Sequence, residues 1–131
     1  MITVDPSAFI AVLRGEADAD RYLTALGRAD KVQLSAATYV ETGIVVDNTG
    51  DPVISGRFDE LLAELNAEIR EVTVDQTRLA RDAYRNFGKG SGHPARLNYG
   101  DCFTFALAAE TRTPLLFKGD VFTHAGVAAA L

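Results

Sequence analysis

The sequence predicts an α/β fold, a three-layer α/β/α sandwich around a central parallel sheet of four or more strands. Three observations lead there. Short β-branched runs alternate along the chain with longer apolar stretches of helical period. The intervals between those runs leave room for crossover helices, which are what joins parallel strands. A chain of 131 residues, 47% hydrophobic and 24% charged, has the size and composition of one ordinary domain with a real core, taken as residues 1–131.

The elements follow in order. A short β-like start ends at Val4. Asp5-Pro6-Ser7 then opens a helix through Leu13, with proline at the first helical position, where its missing N–H is not needed. Tyr22, Leu23 and Leu26 share one face of a second helix over Ala19–Leu26. Val32-Gln33-Leu34-Ser35 reads as a strand that leads into a helix from Ala36 to about Val46. Phe58, Leu61, Leu62, Leu65 and Ile69 recur at helical spacing and predict the next helix. Val72-Thr73-Val74 is β-branched and is expected as the third strand. Asp75 is expected to cap a helix whose inner face carries Leu79, Ala83, Tyr84 and Phe87, ended by the glycine-rich loop Gly88–Pro94. Asn98 starts an apolar helix through Ala109, and Pro114–Phe117 is the fourth strand.

Composition excludes several classes of function. The N-terminus has no basic region ahead of an apolar run and meets a charge at Asp5, so no signal peptide is expected. No stretch reaches the roughly 18 apolar residues of a membrane span. The single cysteine, Cys102, permits no internal disulfide and suits a reducing cytoplasm. His93 and His124 are too far apart in sequence to form a zinc-type cluster. The formal net charge is −5, unevenly spread: residues 1–75 carry a net −8 and residues 76–131 a net +3. Five of the thirteen basic residues lie between Arg78 and Arg96, a strip able to hold a polyanion locally.

Asp5 and Asp120 each fall just past a predicted strand end, where parallel sheets gather their ligands. Each acid also has a structural reading. Asp5 before Pro6 can be a helix N-cap, Asp101 suits the dipole of a first helical turn, and Asp120 after Gly119 can be a turn residue. Glu41 is harder to explain that way. At helical spacing its neighbours are Ala37, Ile44 and Val45, and a carboxylate on an apolar face costs several kcal/mol unless a cation or donors compensate it. Carboxylates converging on one pocket would repel one another, and magnesium or manganese, which favour hard oxygen ligands, would relieve that repulsion.

Longer motifs sharpen this reading. Val4-Asp5-Pro6-Ser7-Ala8 resembles the D-x-S/T-A opening of PIN-domain proteins. The run Ser35–Thr42 resembles the second motif of the VapC-type toxins of that family. Phe87-Gly88-Lys89-Gly90 followed by His93-Pro94-Ala95-Arg96-Leu97-Asn98-Tyr99-Gly100-Asp101-Cys102 resembles the F-G-K-G-x-H-P-A-x-L-N-x-G-D-C signature of one VapC branch. Leu115–Asp120 is similar to its closing L-L-F-K-G-D/E motif. The resemblance implies a PIN domain whose metal site is Asp5, Glu41, Asp101 and Asp120, with Ser7 supporting it. It further implies Mg2+ or Mn2+ as cofactor, endoribonuclease activity on tRNA or rRNA, inhibition by a cognate VapB-type antitoxin, and homodimers. Three positions depart from the family pattern: Pro6 where threonine is common, an extra residue in Ser91-Gly92, and Gly126 where an aspartate is usual.

Arg78, Arg81, Arg85 and Lys89 form one helical stripe, read either as a solvated face or as a phosphate track continued by His93, Arg96 and Lys118. Gly88-Lys89 is no P-loop, because Ala83 stands where a glycine is required. Cys102 reads as packing rather than as a nucleophile. Glu41 and Asp101 fall inside helices, which counts against a phosphorelay receiver, and Ser7 denies a haloacid-dehalogenase-type phosphatase its second aspartate. The alternative left open is a catalytically weak PIN module that mainly binds RNA or a partner protein, suggested by Gly126.

Overall fold

Strand β1 (Ile2–Val4) lies between β2 (Val32–Ser35) and β4 (Leu115–Leu116), and β3 (Glu68–Arg70) extends the sheet beyond β2. All three pairings are parallel, with Thr3 opposite both Gln33 and Leu115. The computed structural model describes residues Met1–Leu131. Six helices complete it: α1 (Pro6–Leu13), α2 (Ala19–Arg28), α3 (Ala36–Asp47), α4 (Pro52–Glu64), α5 (Val74–Phe87) and α6 (Tyr99–Thr111). None is long and apolar enough to cross a membrane.

The alternation of strand side chains divides the core in two. Val4, Val32, Leu34 and Leu116 face one side and pack with Phe9 of α1, Leu26 of α2, Val46 of α3 and Phe58 and Leu62 of α4. Leu115 faces the other side and packs with Ala80 and Ala83 of α5, Cys102 and Ala106 of α6, and Phe122. On that second side the sheet also presents Thr3 and Gln33, both fully buried. Gln33 Nε2 donates to Thr3 Oγ1 (2.8 Å) and to Thr111 Oγ1 (2.9 Å), while Arg70 Nη1 donates to Gln33 Oε1 (3.2 Å). A satisfied polar network of this kind fixes geometry more sharply than apolar contact does. It ties the C-terminal end of α6 to the sheet. A crossover helix runs back along the strands it joins, so the N-terminal end of α6 reaches the carboxyl ends of the strands.

The expected helix through Ile69 and the expected strand over Val72–Val74 both fail, for related reasons. Helix α4 stops at Glu64, and Asn66 turns the chain in the left-handed region (φ 50°), which asparagine enters more readily than most residues. Ile69 then falls in β3, an edge strand in which it is exposed between half-buried Glu68 and Arg70, so no apolar run announces it. The β-branched Val72-Thr73-Val74 ends as a helix start. Thr73, not Asp75, is the N-cap, its hydroxyl accepting the Gln76 N–H at 3.1 Å. Tyr84, expected inward on α5, is 44% exposed; Ala83 is buried as expected, Leu79 and Phe87 are half-buried, and Gln76 and Ala80 join the inner face.

Candidate active site

Asp5 is a helix N-cap whose carboxylate is buried. It follows β1 and precedes Pro6, and its Oδ2 accepts the Ser7 N–H (3.0 Å) and the Ser7 hydroxyl (2.6 Å). Ser7 Oγ in turn accepts the Lys118 N–H (2.9 Å), which fastens Asp5 to the segment leaving β4. The other oxygen, Oδ1, is buried and makes no hydrogen bond of good geometry. Burial pushes the Asp5 carboxyl up, against the pull of the Ser7 hydrogen bonds and of the Thr104 hydroxyl nearby. An orphaned buried carboxylate oxygen costs free energy as it stands.

Two more acids, on different elements, feel the charge of Asp5. Glu41, half-buried on the second turn of α3, is raised by burial and then by the charges of Asp5 and Asp101. Asp101 is the third residue of α6 and completes a capping box. Asn98 Oδ1 accepts the Asp101 N–H (2.9 Å), and Asp101 Oδ2 accepts the Asn98 N–H (2.8 Å). Its carboxyl is pushed up to about 6, chiefly by burial and further by Asp5, against the Asn98 hydrogen bond and the charge of Lys89. Asp5 thus acts on both Glu41 and Asp101, and Asp101 on Glu41, but the three carboxylates do not close to the spacing of ion ligands. Electrostatic coupling acts over a longer range than coordination.

Asp120, the fourth acid expected, is exposed on the bend after β4. It stands at the same edge of the sheet as Asp5, since β4 pairs with β1, but it is not drawn into the buried group. Gly126 closes a short 3₁₀ turn (Thr123–Ala125) at φ 75°, so the departure from the family pattern falls where the backbone favours glycine.

The expected phosphate track is uneven. Arg78 pairs with Asp75 (3.4 Å) and Arg85 with Asp82 (3.6 Å) on the same helix. Arg81, Lys89 and Arg96 are exposed and appear in no ion pair; Lys89 acts on Asp101. The ring of His93 packs edge-on against Phe87 with centroids 4.9 Å apart, and its Nδ1 accepts the Ala95 N–H (3.1 Å). Lys118 does not point into the track, because its ammonium is held by Asp18 (2.9 Å) and by Glu16. Cys102 donates to the Asn98 carbonyl (3.2 Å), and burial pushes its thiol up to about 11, which leaves it protonated and a poor nucleophile.

Reading the acids alone missed four residues that shape the site. Thr38 and Thr104, with hydroxyls 3.2 Å apart, are fully buried, and the Thr104 hydroxyl acts on the Asp5 carboxyl. Asn98 orients Asp101, and Gly100 lies directly against the Glu41 carboxylate. A capping signal at Asn98-x-x-Asp101 was there to be read, but the contact between the two threonines carries no local signal.

The donor chemistry fits a hard divalent cation: carboxylate oxygens only, one of them buried and unpartnered. The family model for the PIN domain matches residues 2–128, and the chain belongs to the PIN-domain family. Within it the chain is similar to Ribonuclease VapC28 of Mycobacterium tuberculosis, with 56% identity over 128 residues that cover 98% of this chain and 96% of that protein. Among solved structures, VapC20 of M. tuberculosis, described as a Sarcin-Ricin loop cleaving toxin, superposes with a TM-score of 0.76 at 17% identity, covering 97% of this chain and 96% of that one. A toxin-antitoxin complex from Klebsiella pneumoniae gives a TM-score of 0.70 at 15% identity over 92% and 88% of the two chains. At such identities these two structures speak for the fold alone.

Proposed function

We propose that this chain is a metal-dependent endoribonuclease, the toxin of a VapBC-type toxin-antitoxin pair, acting on tRNA or rRNA. The observation that carries the reading is the unpartnered, buried Oδ1 of Asp5, flanked by Glu41 and Asp101 at the carboxyl edge of a parallel sheet. Similarity over nearly the whole chain to proteins named VapC ribonuclease supports it.

Asp5, Glu41 and Asp101 would hold Mg2+ or Mn2+, with Asp120 joining from the bend after β4. A bound divalent ion supplies Lewis-acid chemistry, offsetting negative charge on the phosphate and water oxygens during hydrolysis of the phosphodiester. Ser7 holds Asp5 in place from one side, and Asn98 fixes the orientation of Asp101. Arg81, Lys89 and Arg96 are free to take RNA phosphates on the approach to the acids.

The partners proposed are a VapB-type antitoxin and a second copy of this chain. For the second copy, the support is an exposed apolar face across α3, α5 and α6, formed by Val40, Ile44, Tyr84 and Tyr99. Light scattering on native protein and on Ile44→Glu checks it; a native monomer would remove the dimer from the proposal.

The activity is tested by incubating antitoxin-free protein with total tRNA and rRNA, with Mg2+, with Mn2+ and with chelator. Cutting that needs metal and vanishes in Asp101→Asn is the expected result. Folded protein that binds RNA yet cuts nothing under any metal would leave the weak binding module, the reading suggested by Gly126.

A further inference from the structure

Glu41 reaches the acid pocket through a notch in α6. Gly100 is the second residue of that helix, and its Cα faces the end of the Glu41 side chain. A Cβ at position 100 would meet Glu41 Cδ at 2.8 Å and Oε2 at 3.0 Å, with Oε1 nearer still. Real Cβ atoms do not approach other atoms this closely, so any larger residue would displace the carboxylate. The backbone of Gly100 is helical with a negative φ, so nothing in its own conformation calls for glycine. The usual reasons for a glycine, a left-handed turn or a tight loop, are absent here. Helix propensity argues the other way, since alanine is the better residue inside a helix.

We propose that Gly100 is a positioning residue for the metal site: its missing side chain lets the Glu41 carboxylate lie against the first turn of α6, beside Asp101. The inference rests on the nuclease reading of the acids and adds to it a residue that touches neither metal nor RNA. The first turn of α6 then serves the site three times. Asn98 sets Asp101, Asp101 supplies a carboxylate, and Gly100 admits the carboxylate of α3. Only the end of one flexible side chain has to move when Gly100 is filled, so the cost falls on the site and not on the fold.

Gly100→Ala tests this against Gly56→Ala, an exchange in the middle of α4 where an added Cβ meets nothing within 4 Å. Two quantities are measured, Tm in chelator and Mn2+ affinity by calorimetry. Both variants should match or exceed the native Tm. Gly100→Ala alone should bind Mn2+ at least about tenfold more weakly, the lower end of what losing a supporting group costs a metal site. In a Glu41→Gln background the same exchange should cause no further loss. Native-like Mn2+ affinity in Gly100→Ala overturns the proposal, and so does a Gly100→Ala chain that fails to fold. If the native protein itself binds no Mn2+, the nuclease reading falls, and the proposal is judged in metal-free protein. There the Glu41 side-chain carboxyl carbon resonance must move in Gly100→Ala, and an unmoved resonance overturns it.

Discussion

Two clusters of ionised groups sit at the carboxyl edge of this sheet, built on opposite plans. In one, Lys118 lies between Glu16 and Asp18 and ties the loop after α1 to the segment leaving β4. Each charge has its partner: Asp18 is held below the ordinary carboxylate range by Lys118, and Lys118 is raised in return, chiefly by Glu16. In the other, Asp5, Glu41 and Asp101 are all raised, each chiefly by burial, Glu41 further by the charges of Asp5 and Asp101 and Asp101 by that of Asp5. The first cluster is complete as folded. The second buries carboxylates with no cation to compensate them, which is why it is the candidate site and the first is scaffold.

The largest break in this contrast comes from neutralising one member of the crowded cluster. Asp101→Asn keeps an oxygen for the Asn98 N–H and so preserves the capping box. It should nonetheless weaken Mn2+ binding by no less than the ~100-fold that loss of an outer-shell partner can cost. In chelator the same variant should melt higher. The exchange removes chiefly the cost of burying this charge and secondarily its repulsion with Asp5; partial exposure discounts both, so about 1 kcal/mol is expected, or roughly 3–5 °C in a domain of this size. A lower Tm in chelator would show that Asp101 matters to the fold more than to the site.

Lys118→Met is the counterpart in the satisfied cluster. It leaves Glu16 and Asp18 without a partner and should lower Tm with and without metal, with a smaller loss in high salt because these groups are exposed enough to be screened. Mn2+ affinity should be unchanged. A drop in affinity as large as that of Asp101→Asn would erase the distinction between the two clusters.

The two clusters should also titrate with opposite sign. Folded Asp101 keeps its proton up to about pH 6, whereas in the unfolded chain it ionises near pH 4. Between those values the folded state binds more protons, so this group's contribution to metal-free stability is fully present below about pH 4 and is lost as pH rises through about 6. Asp5 and Glu41 act in the same direction. Asp18, with its lowered value, contributes stability above the ordinary carboxylate range that is lost only as pH falls below it. Melting curves in chelator at pH 7.5 and pH 5.5 should therefore show the native protein more stable at the lower pH. Asp101→Asn should flatten that difference and Lys118→Met should keep it.

How much of this was legible in the sequence follows the same division. β1, β2 and β4 are buried and announce themselves by apolar residues, whereas β3 is an edge strand written in Glu68, Ile69 and Arg70 and was displaced in the reading by the more β-like Val72-Thr73-Val74. Asp5, Glu41 and Asp101 stand in motifs, and the fold brings them to one edge. Lys118 also stands in a motif, but its ion pairs come from residues a hundred positions away, which no local pattern reveals. Thr38 and Gly100 lie inside the family motifs, but the Thr38–Thr104 contact and the notch at Gly100 depend on the packing of α3 against α6, which no local pattern reveals.

The smallest effect extends the contrast to the cations. Arg85 and Arg78 are paired along α5 and Lys118 is paired across the fold, while Lys89 acts on the acid pocket and has no ion pair. A cation already matched by a protein carboxylate releases little counterion when RNA arrives, so it adds little to the salt dependence of binding. A free one contributes about 0.7 to the slope of log K against log salt on a single strand. Binding to bulk tRNA in chelator, followed across a KCl series, should thus lose about 0.7 of slope in Lys89→Gln and distinctly less in Arg85→Gln or Lys118→Gln. Equal losses in all three would mean that the protein ion pairs open when RNA binds. In that case the paired and unpaired cations differ only in the free protein, and the track runs along the whole of α5.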